Sequence, residues 1–179
     1  MTDASTLAEL EQRTARLERE IVRLNDVEAI KQLRWRYSRA CDDDNNLALL
    51  MPMFTQDAEV VLKPPFSGVH KGHEALARMY RDNVRVNGVR WTTHYYLQPI
   101  ITISEDGCIA EASWYLWEPA TMDFPDAANE AVWLAGEYFD RYAKIDGEWK
   151  FTRIEINIRL MAPYEKGWAE SPIRKTPST

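Results

Sequence analysis

Three kinds of side chain in this sequence could move protons near neutral pH: the imidazole of Thr93-His94-Tyr95, the carboxylates of Asp42-Asp43-Asp44, and the phenol of Tyr37. A neutral imidazole, with an ordinary pKa of ~6.5, accepts a proton without much tuning. A carboxylate held against one of its ring N–H groups would fix the tautomer and stabilise the imidazolium that forms. A phenol, with an ordinary pKa of ~10, can donate to a leaving hydroxyl or a developing enolate oxygen. Taken singly, each has an ordinary structural role as well. A buried histidine can bond to backbone, an aspartate run can be a solvated helix end, and a tyrosine on an apolar helix face can be core. His70 and His73 stand in a loop and a helix start without a convincing third ligand, so no metal site is expected there.

These residues need elements to position them. Residues 5–24 carry Leu7, Leu10, Leu17, Ile21 and Leu24 with Glu and Arg between them, a heptad-like stripe that predicts a helical arm wanting a partner. Asn25-Asp26 predicts an N-cap, followed by a second helix with Val27, Ile30, Leu33, Tyr37 and Cys41 on its apolar face and the aspartate run at its end. A short helix is expected around Leu47 to Phe54, a strand over Ala58 to Leu62, a loop at Pro64 to Gly68, and a helix over Gly72 to Val84. From residue 90 the pattern is strands: Arg90 to Ser104, Cys108 to Glu118, Ala131 to Ile145 and Glu148 to Met161. Glu105-Asp106-Gly107 and Asp146-Gly147 are hairpin signals, and Met122 to Asn129 reads as a longer loop. Arg153, Glu155, Asn157 and Arg159 share one parity of the last strand, opposite Ile154, Ile156 and Ile158.

The chain of 179 residues is 45% hydrophobic, enough for one domain with a real core. A net charge of -6 argues against nucleic acid or an anionic membrane as partner. Neither a basic and apolar leader nor a membrane-length apolar run is present, so a cytoplasmic protein is expected. Cys41 and Cys108 are too few for a disulfide framework and are read as buried thiols. Seven tryptophans and eight tyrosines suit either a core or a pocket for a flat apolar ligand.

The order of these signals resembles the nuclear transport factor two-like superfamily of polyketide-cyclase-like (SnoaL-like) proteins. The resemblance rests on Asp26-Val27-Glu28-Ala29-Ile30 with Leu33, Tyr37 and Asp42, then Phe54-Thr55-Gln56-Asp57-Ala58. It continues through Gly68-Val69-His70-Lys71-Gly72-His73-Glu74-Ala75-Leu76, Thr93-His94-Tyr95 and Tyr142-Ala143-Lys144-Ile145-Asp146-Gly147-Glu148-Trp149-Lys150-Phe151. It implies an α+β cone-shaped barrel, a curved antiparallel sheet wrapped around N-terminal helices, over residues 26–165. Residues 1–25 would be an added helical arm and residues 166–179 a polar tail.

Within that superfamily the pattern is similar to hexachlorocyclohexane dehydrochlorinase, scytalone dehydratase and bile-acid 7α-dehydratase. The likeness implies a dyad of His94 as base and Asp42 as its orienter, with Asp43 as the alternative carboxylate, and Tyr37 as acid or oxyanion donor. It further implies a substrate-contacting Arg159, which would need a bulge to reach a cavity, and a homo-oligomer, a trimer rather than a dimer. Lignin-derived diarylpropane lyases of sphingomonads, which release formaldehyde, are a related possibility. The expected activity is a cofactor-independent carbon–oxygen or carbon–carbon lyase acting on a hydrophobic ring compound in aromatic catabolism, with Tyr96, Trp117 and Trp35 as aromatic contacts. An isomerase, an epoxide hydrolase and a ligand-binding module remain the alternatives.

Overall fold

The computed structural model describes residues 3–82 and 88–174. One helix, α1 (Asp3–Asp42), runs through the whole N-terminal region without interruption. The cap expected at Asn25-Asp26 is absent because Asp26 is spent elsewhere. Its carboxylate is buried and accepts from Lys144 Nζ at 2.6 Å and Trp149 Nε1 at 2.9 Å, tying the helix to the end of the sheet. The arm and the barrel therefore share one helix, and only burial marks where one becomes the other. Up to Asn25 nearly every described side chain is exposed, whereas Ile30, Leu33, Arg34, Tyr37, Ala40 and Cys41 are buried at helical spacing.

After α1 the chain makes a short helix α2 (Leu47–Leu50), a 3₁₀ turn (Met51–Met53), strands β1 (Phe54–Leu62) and β2 (Gly68–Lys71), and helix α3 (His73–Arg81). The expected end of α3 at Val84 lies outside the described residues. The remaining strands are β3 (Val89–Thr92), β4 (Tyr95–Ile103), β5 (Ile109–Phe124), β6 (Ala127–Ile145) and β7 (Glu148–Pro163). They form one curled sheet in the order β2-β1-β7-β6-β5-β3, with β4 also on β5. The sheet is mixed rather than purely antiparallel, since β1 runs parallel to β7.

Both Asp-Gly turns are hairpins; Asp146 and Gly147 sit at φ 50° and 83°, the paired left-handed conformations that such turns require. The expected loop at Met122 to Asn129 is instead a tight hairpin in which Phe124 pairs with Ala127. Asp123 holds it by accepting from the Asn129 amide and from Arg90. Residues 90–104 are two strands, not one, broken at Thr93-His94. Near the C-terminus the chain folds back: Ile173 bridges Met161, and Arg174 pairs with Asp126 and Glu130. Cys41 is buried, but Cys108 is exposed because it sits at the β4–β5 turn. Among the described residues no helix is long and apolar enough to cross a membrane.

The concave face of the sheet takes alternate residues of β5 and β6, and two of them are charged or pair with charge. Asp140 lies 3.6 Å from Arg34 Nη1, and both side chains are fully buried. Tyr142 donates to Asp140 at 2.7 Å, and the guanidinium lies over the rings of Tyr96 and Tyr138 at 4.0 and 4.1 Å. Burial opposes the Arg34 charge, yet Asp140 and the surrounding phenols outweigh it and hold its pKa above the ordinary value. Removing one member strands the other in a dry interior, which costs about 3–5 kcal/mol. Asp140→Asn is therefore expected to lower the urea midpoint of unfolding by an amount equivalent to about 3 kcal/mol, while a surface pair such as Arg141 and Glu111 contributes under about 1 kcal/mol when broken.

Candidate active site

The break between β3 and β4 and the last residue of α1 meet. Asp42 accepts from the His94 backbone N–H at 3.2 Å and from the Thr93 hydroxyl at 3.4 Å, so its carboxylate serves the amide that the interrupted ladder leaves free. The same carboxylate takes the His94 ring, with Nδ1 at 2.6 Å from Oδ1. An ionised Asp42 makes Nδ1 the protonated nitrogen and leaves Nε2 toward the cavity. Asp43 is turned away and accepts from the Asn46 side chain at 2.8 Å, so of the two aspartates it is Asp42 that meets the imidazole.

On the other side of the ring stands a carboxylate that sequence reasoning missed. Glu118 Oε1 lies 3.6 Å from His94 Nε2, is buried, and accepts from the Thr92 hydroxyl. The signal for it was present in strand parity. The inward residues of β5 are Ala110, Ala112, Trp114, Leu116, Glu118, Ala120 and Met122, in which one acid breaks an apolar row.

His94 is about one-tenth exposed. Burial is the largest influence on it and disfavours the charged ring, with Arg34 adding to that, but Glu118 and then the hydrogen bond and charge of Asp42 together outweigh them. The net result is a pKa above the ordinary histidine value. Both ring nitrogens thus face carboxylates, and the site favours the imidazolium.

His94 opens onto a cavity of about 90 Å³ lined by Tyr37, Cys41, Phe66, Tyr80, Glu118 and Tyr138, among others. The remaining lining side chains are mostly apolar, from Leu62, Met79, Val89, Leu134 and Ile156. Tyr37 and Tyr80 share a hydrogen bond at 3.0 Å between their hydroxyls. Burial holds both phenols well above their ordinary range, so they remain donors at any physiological pH. Burial likewise pushes the Cys41 thiol up to about 12, against a lowering hydrogen bond to Tyr37, which rules out a resting thiolate nucleophile.

Of the other residues expected at the site, none lines the cavity. Tyr96 stacks behind the imidazole, ring centroids 5.9 Å apart, between His94 and Arg34, and so supports the ring. Trp35 is 43% exposed because it lies on the α1 face opposite the buried stripe. Trp117 stacks on Trp133 at 5.2 Å, with Trp168 edge-on to it, in an aromatic cluster away from the cavity. The bulge that Arg159 needed does form: Ala135 pairs with Leu160 and Gly136 with Ile158, which leaves Arg159 as the extra residue. A Cβ on Gly136 would lie 2.4 Å from the Asn157 carbonyl oxygen, so only glycine permits this approach. The bulge turns Arg159 outward, however, where it donates to Glu137 at 3.1 Å. His73 bonds the Phe54 carbonyl at 3.2 Å, a structural contact.

A family model described as the SnoaL-like domain matches residues 22–155. Among solved structures, a hexachlorocyclohexane dehydrochlorinase, LinA type 3 from Novosphingobium barchaimii LL02, is 19% identical with a TM-score of 0.70, over 89% of this chain and 99% of that one. The type 2 LinA dehydrochlorinase is 20% identical with a TM-score of 0.71, over 88% and 97% of the two chains. A candidate scytalone dehydratase from Novosphingobium aromaticivorans DSM 12444 is 24% identical with a TM-score of 0.67, over 88% and 99%.

The raised His94 pKa has a signed consequence. Stability gained from the charged ring is fully present below about 6.5, the unfolded value, and is lost as pH rises through the higher folded value. A ¹H–¹⁵N titration of the imidazole is expected to place the His94 midpoint above that of a model histidine and to bring it down in Glu118→Gln; a midpoint at or below the ordinary value in the wild type would contradict the geometry.

Proposed function

The chain belongs to the SnoaL-like domain family, and on that footing we propose that it is a cofactor-independent lyase that removes a proton and a small leaving group from a hydrophobic, ring-containing substrate. The observation that carries this reading is the His94 imidazole held between Asp42 and Glu118 on the wall of a largely apolar cavity. Family membership and the fold likeness to dehydrochlorinase and dehydratase structures support the lyase class.

In this mechanism Asp42 holds Nδ1–H, and Nε2 of the neutral ring takes the acidic proton of the substrate. Glu118 then stabilises the imidazolium from the other side, and the burial of both side chains leaves that attraction little screened. Tyr37, backed by Tyr80, donates to the leaving oxygen or to a developing enolate. Loss of water fits this arrangement most directly, because the phenol gives the leaving hydroxyl its proton and the imidazolium, carrying the proton taken from carbon, then reprotonates the phenolate. Release of formaldehyde from a hydroxymethyl-bearing diaryl alcohol uses the same two groups. Nε2 takes the hydroxymethyl O–H proton, and the carbon–carbon bond breaks to formaldehyde. The electron pair of that bond forms the alkene as it expels the neighbouring hydroxyl, which Tyr37 protonates to water. No step calls for a metal or an organic cofactor, since side chains of the site carry every proton.

A second reading has one observation in its favour. Two proton carriers, His94 Nε2 and Glu118, stand 3.6 Å apart on the same wall, which would let an abstracted proton return to a neighbouring carbon and make the reaction an isomerisation.

A turnover screen of hydroxylated diaryl and steroid compounds, followed by ultraviolet absorbance of the new conjugated alkene and by formaldehyde capture, tests the proposal. His94→Ala is expected to lose about 10²–10⁴-fold in kcat/KM, the usual contribution of a general base. Asp42→Asn should lose well over tenfold, and Tyr37→Phe should lower kcat more than it raises KM. Since the base must be neutral, kcat/KM should rise with pH through a midpoint above about 6.5. Equal turnover by wild type and His94→Ala would refute the assignment, and solvent deuterium appearing in an unfragmented product would transfer it to isomerisation.

A further inference from the structure

We propose that residues 6–25 of α1 form a parallel, in-register, two-stranded coiled coil with the same segment of a second copy of this chain. The segment is about 30 Å of helix at 1.5 Å per residue. Along it Leu7, Leu10, Leu17, Ile21 and Leu24 are 50–58% exposed, so the barrel of the same chain does not cover them. A polar helix of this length gains little from propensity alone and depends on burying a face.

The spacing defines that face. Leu7, Thr14 and Ile21 recur every seven residues, and Leu10, Leu17 and Leu24 follow each by three, which gives the a and d positions of three consecutive heptads. The next two places in this register are Glu28 and Lys31, so the seam stops where the helix enters the barrel. The buried stripe that takes over, Asp26, Ile30, Leu33 and Tyr37, lies on a different face. The arm's apolar row is therefore a separate surface and not the tail of the core-facing one.

Charge then selects the occupant and its direction. In this register Glu11 and Glu18 fall at e, and Arg13 and Glu20 at g. In a parallel pair, g of one helix faces the e five residues on in the other, so Arg13 meets Glu18 of the second copy, twice by symmetry. An antiparallel pair would gain Arg13 against Glu20 at g–g but would also set Glu11 against Glu18 at e–e, like charge against like, so the parallel pair has the better balance. Leucine at every d with β-branched Thr14 and Ile21 at a favours two strands over three. This departs from the trimer that the family likeness implied. It is independent of the proposed chemistry, because the arm lies outside the cavity.

Sedimentation equilibrium of the full chain, with the barrel intact by circular dichroism, decides the matter. The wild type is expected to be a dimer, and Leu17→Glu should weaken association at least tenfold without altering the far-ultraviolet spectrum beyond the arm. Arg13→Glu should weaken it less, and Arg13→Glu with Glu18→Arg should restore it. With the exposed Cys108 replaced by serine, Leu17→Cys should oxidise to disulfide-linked pairs, which a parallel in-register arrangement allows and the antiparallel one, with position 17 facing an a position, does not. A monomeric wild type, a trimer, an assembly indifferent to Leu17→Glu, or a Leu17→Cys variant that stays unlinked would each overturn the proposal.

Discussion

A guanidinium with no access to water sets the terms for the rest of this molecule. Arg34 cannot shed its proton, so the interior must supply a counter-charge, and among the described residues Asp140 on β6 is the one acid within ion-pair reach. That requirement fixes both the rotation of α1 and its height against the sheet, because a slip of one residue would bury the charge against an apolar neighbour. The aromatic rings around it are stacked to the same end. Tyr96 lies against both the guanidinium, at 4.0 Å, and the His94 imidazole, with ring centroids 5.9 Å apart. The ion pair thus reaches the candidate site through Tyr96 behind the imidazole and through Tyr138 on the cavity wall, and Arg34 also acts on it electrostatically by disfavouring the imidazolium.

The site itself forms where regular structure gives way. A continuous strand from residue 90 to 104 would spend the amide of His94 in the ladder and turn its ring by the alternation of the pleat. The interruption at Thr93-His94 frees that amide, and the end of α1 arrives with a carboxylate to take it. One carboxylate therefore does two jobs, closing the backbone of the break and orienting the ring, which makes the local fold and the position of the imidazole a single feature. Asp44 and Asn45, at φ 51° and 52°, end the helix beyond it in left-handed conformations that these two residue types tolerate better than most.

Much of this was legible in the sequence, for identifiable reasons. The helical stripe from Ile30 to Cys41, the Asp-Gly hairpins and the alternation of the long strands are local patterns, and they appear in the fold as read. What was misread involved residues whose usual local role was overridden by a distant partner. Asn25-Asp26 looks like a cap, yet Lys144 and Trp149 claim the aspartate across the sheet. Met122 to Asn129 looks like a loop, yet Asp123, accepting from Arg90 and from the Asn129 amide, closes it into a hairpin. The aromatic contacts failed differently: composition advertises the large rings, but a small cavity is lined by whichever side chains the curl of the sheet turns inward. Here the sheet supplies Tyr138, helix α3 supplies Tyr80 and the loop after β1 supplies Phe66, while Trp35 and Trp117 fall on other faces. Glu118 and Asp140 were the accessible omissions, since each breaks an otherwise apolar parity.

The balance of influences on His94 gives the site its chemical character. Burial and Arg34 push toward the neutral ring, while Glu118 and Asp42 push toward the charged one, and the carboxylates prevail. An imidazole with only Asp42 would be oriented, but it would hold an abstracted proton less firmly in so dry a setting. The same imidazole with Glu118 at 3.6 Å has its product state, the imidazolium, stabilised before any substrate arrives. In the proposed reaction such pre-arranged charge would strengthen the base at the expense of its neutral fraction, an exchange that favours abstraction from a weakly acidic carbon–hydrogen bond. The structural cost is a carboxylate in an apolar wall, and the Thr92 hydroxyl, delivered by the strand just before the break, is what solvates it.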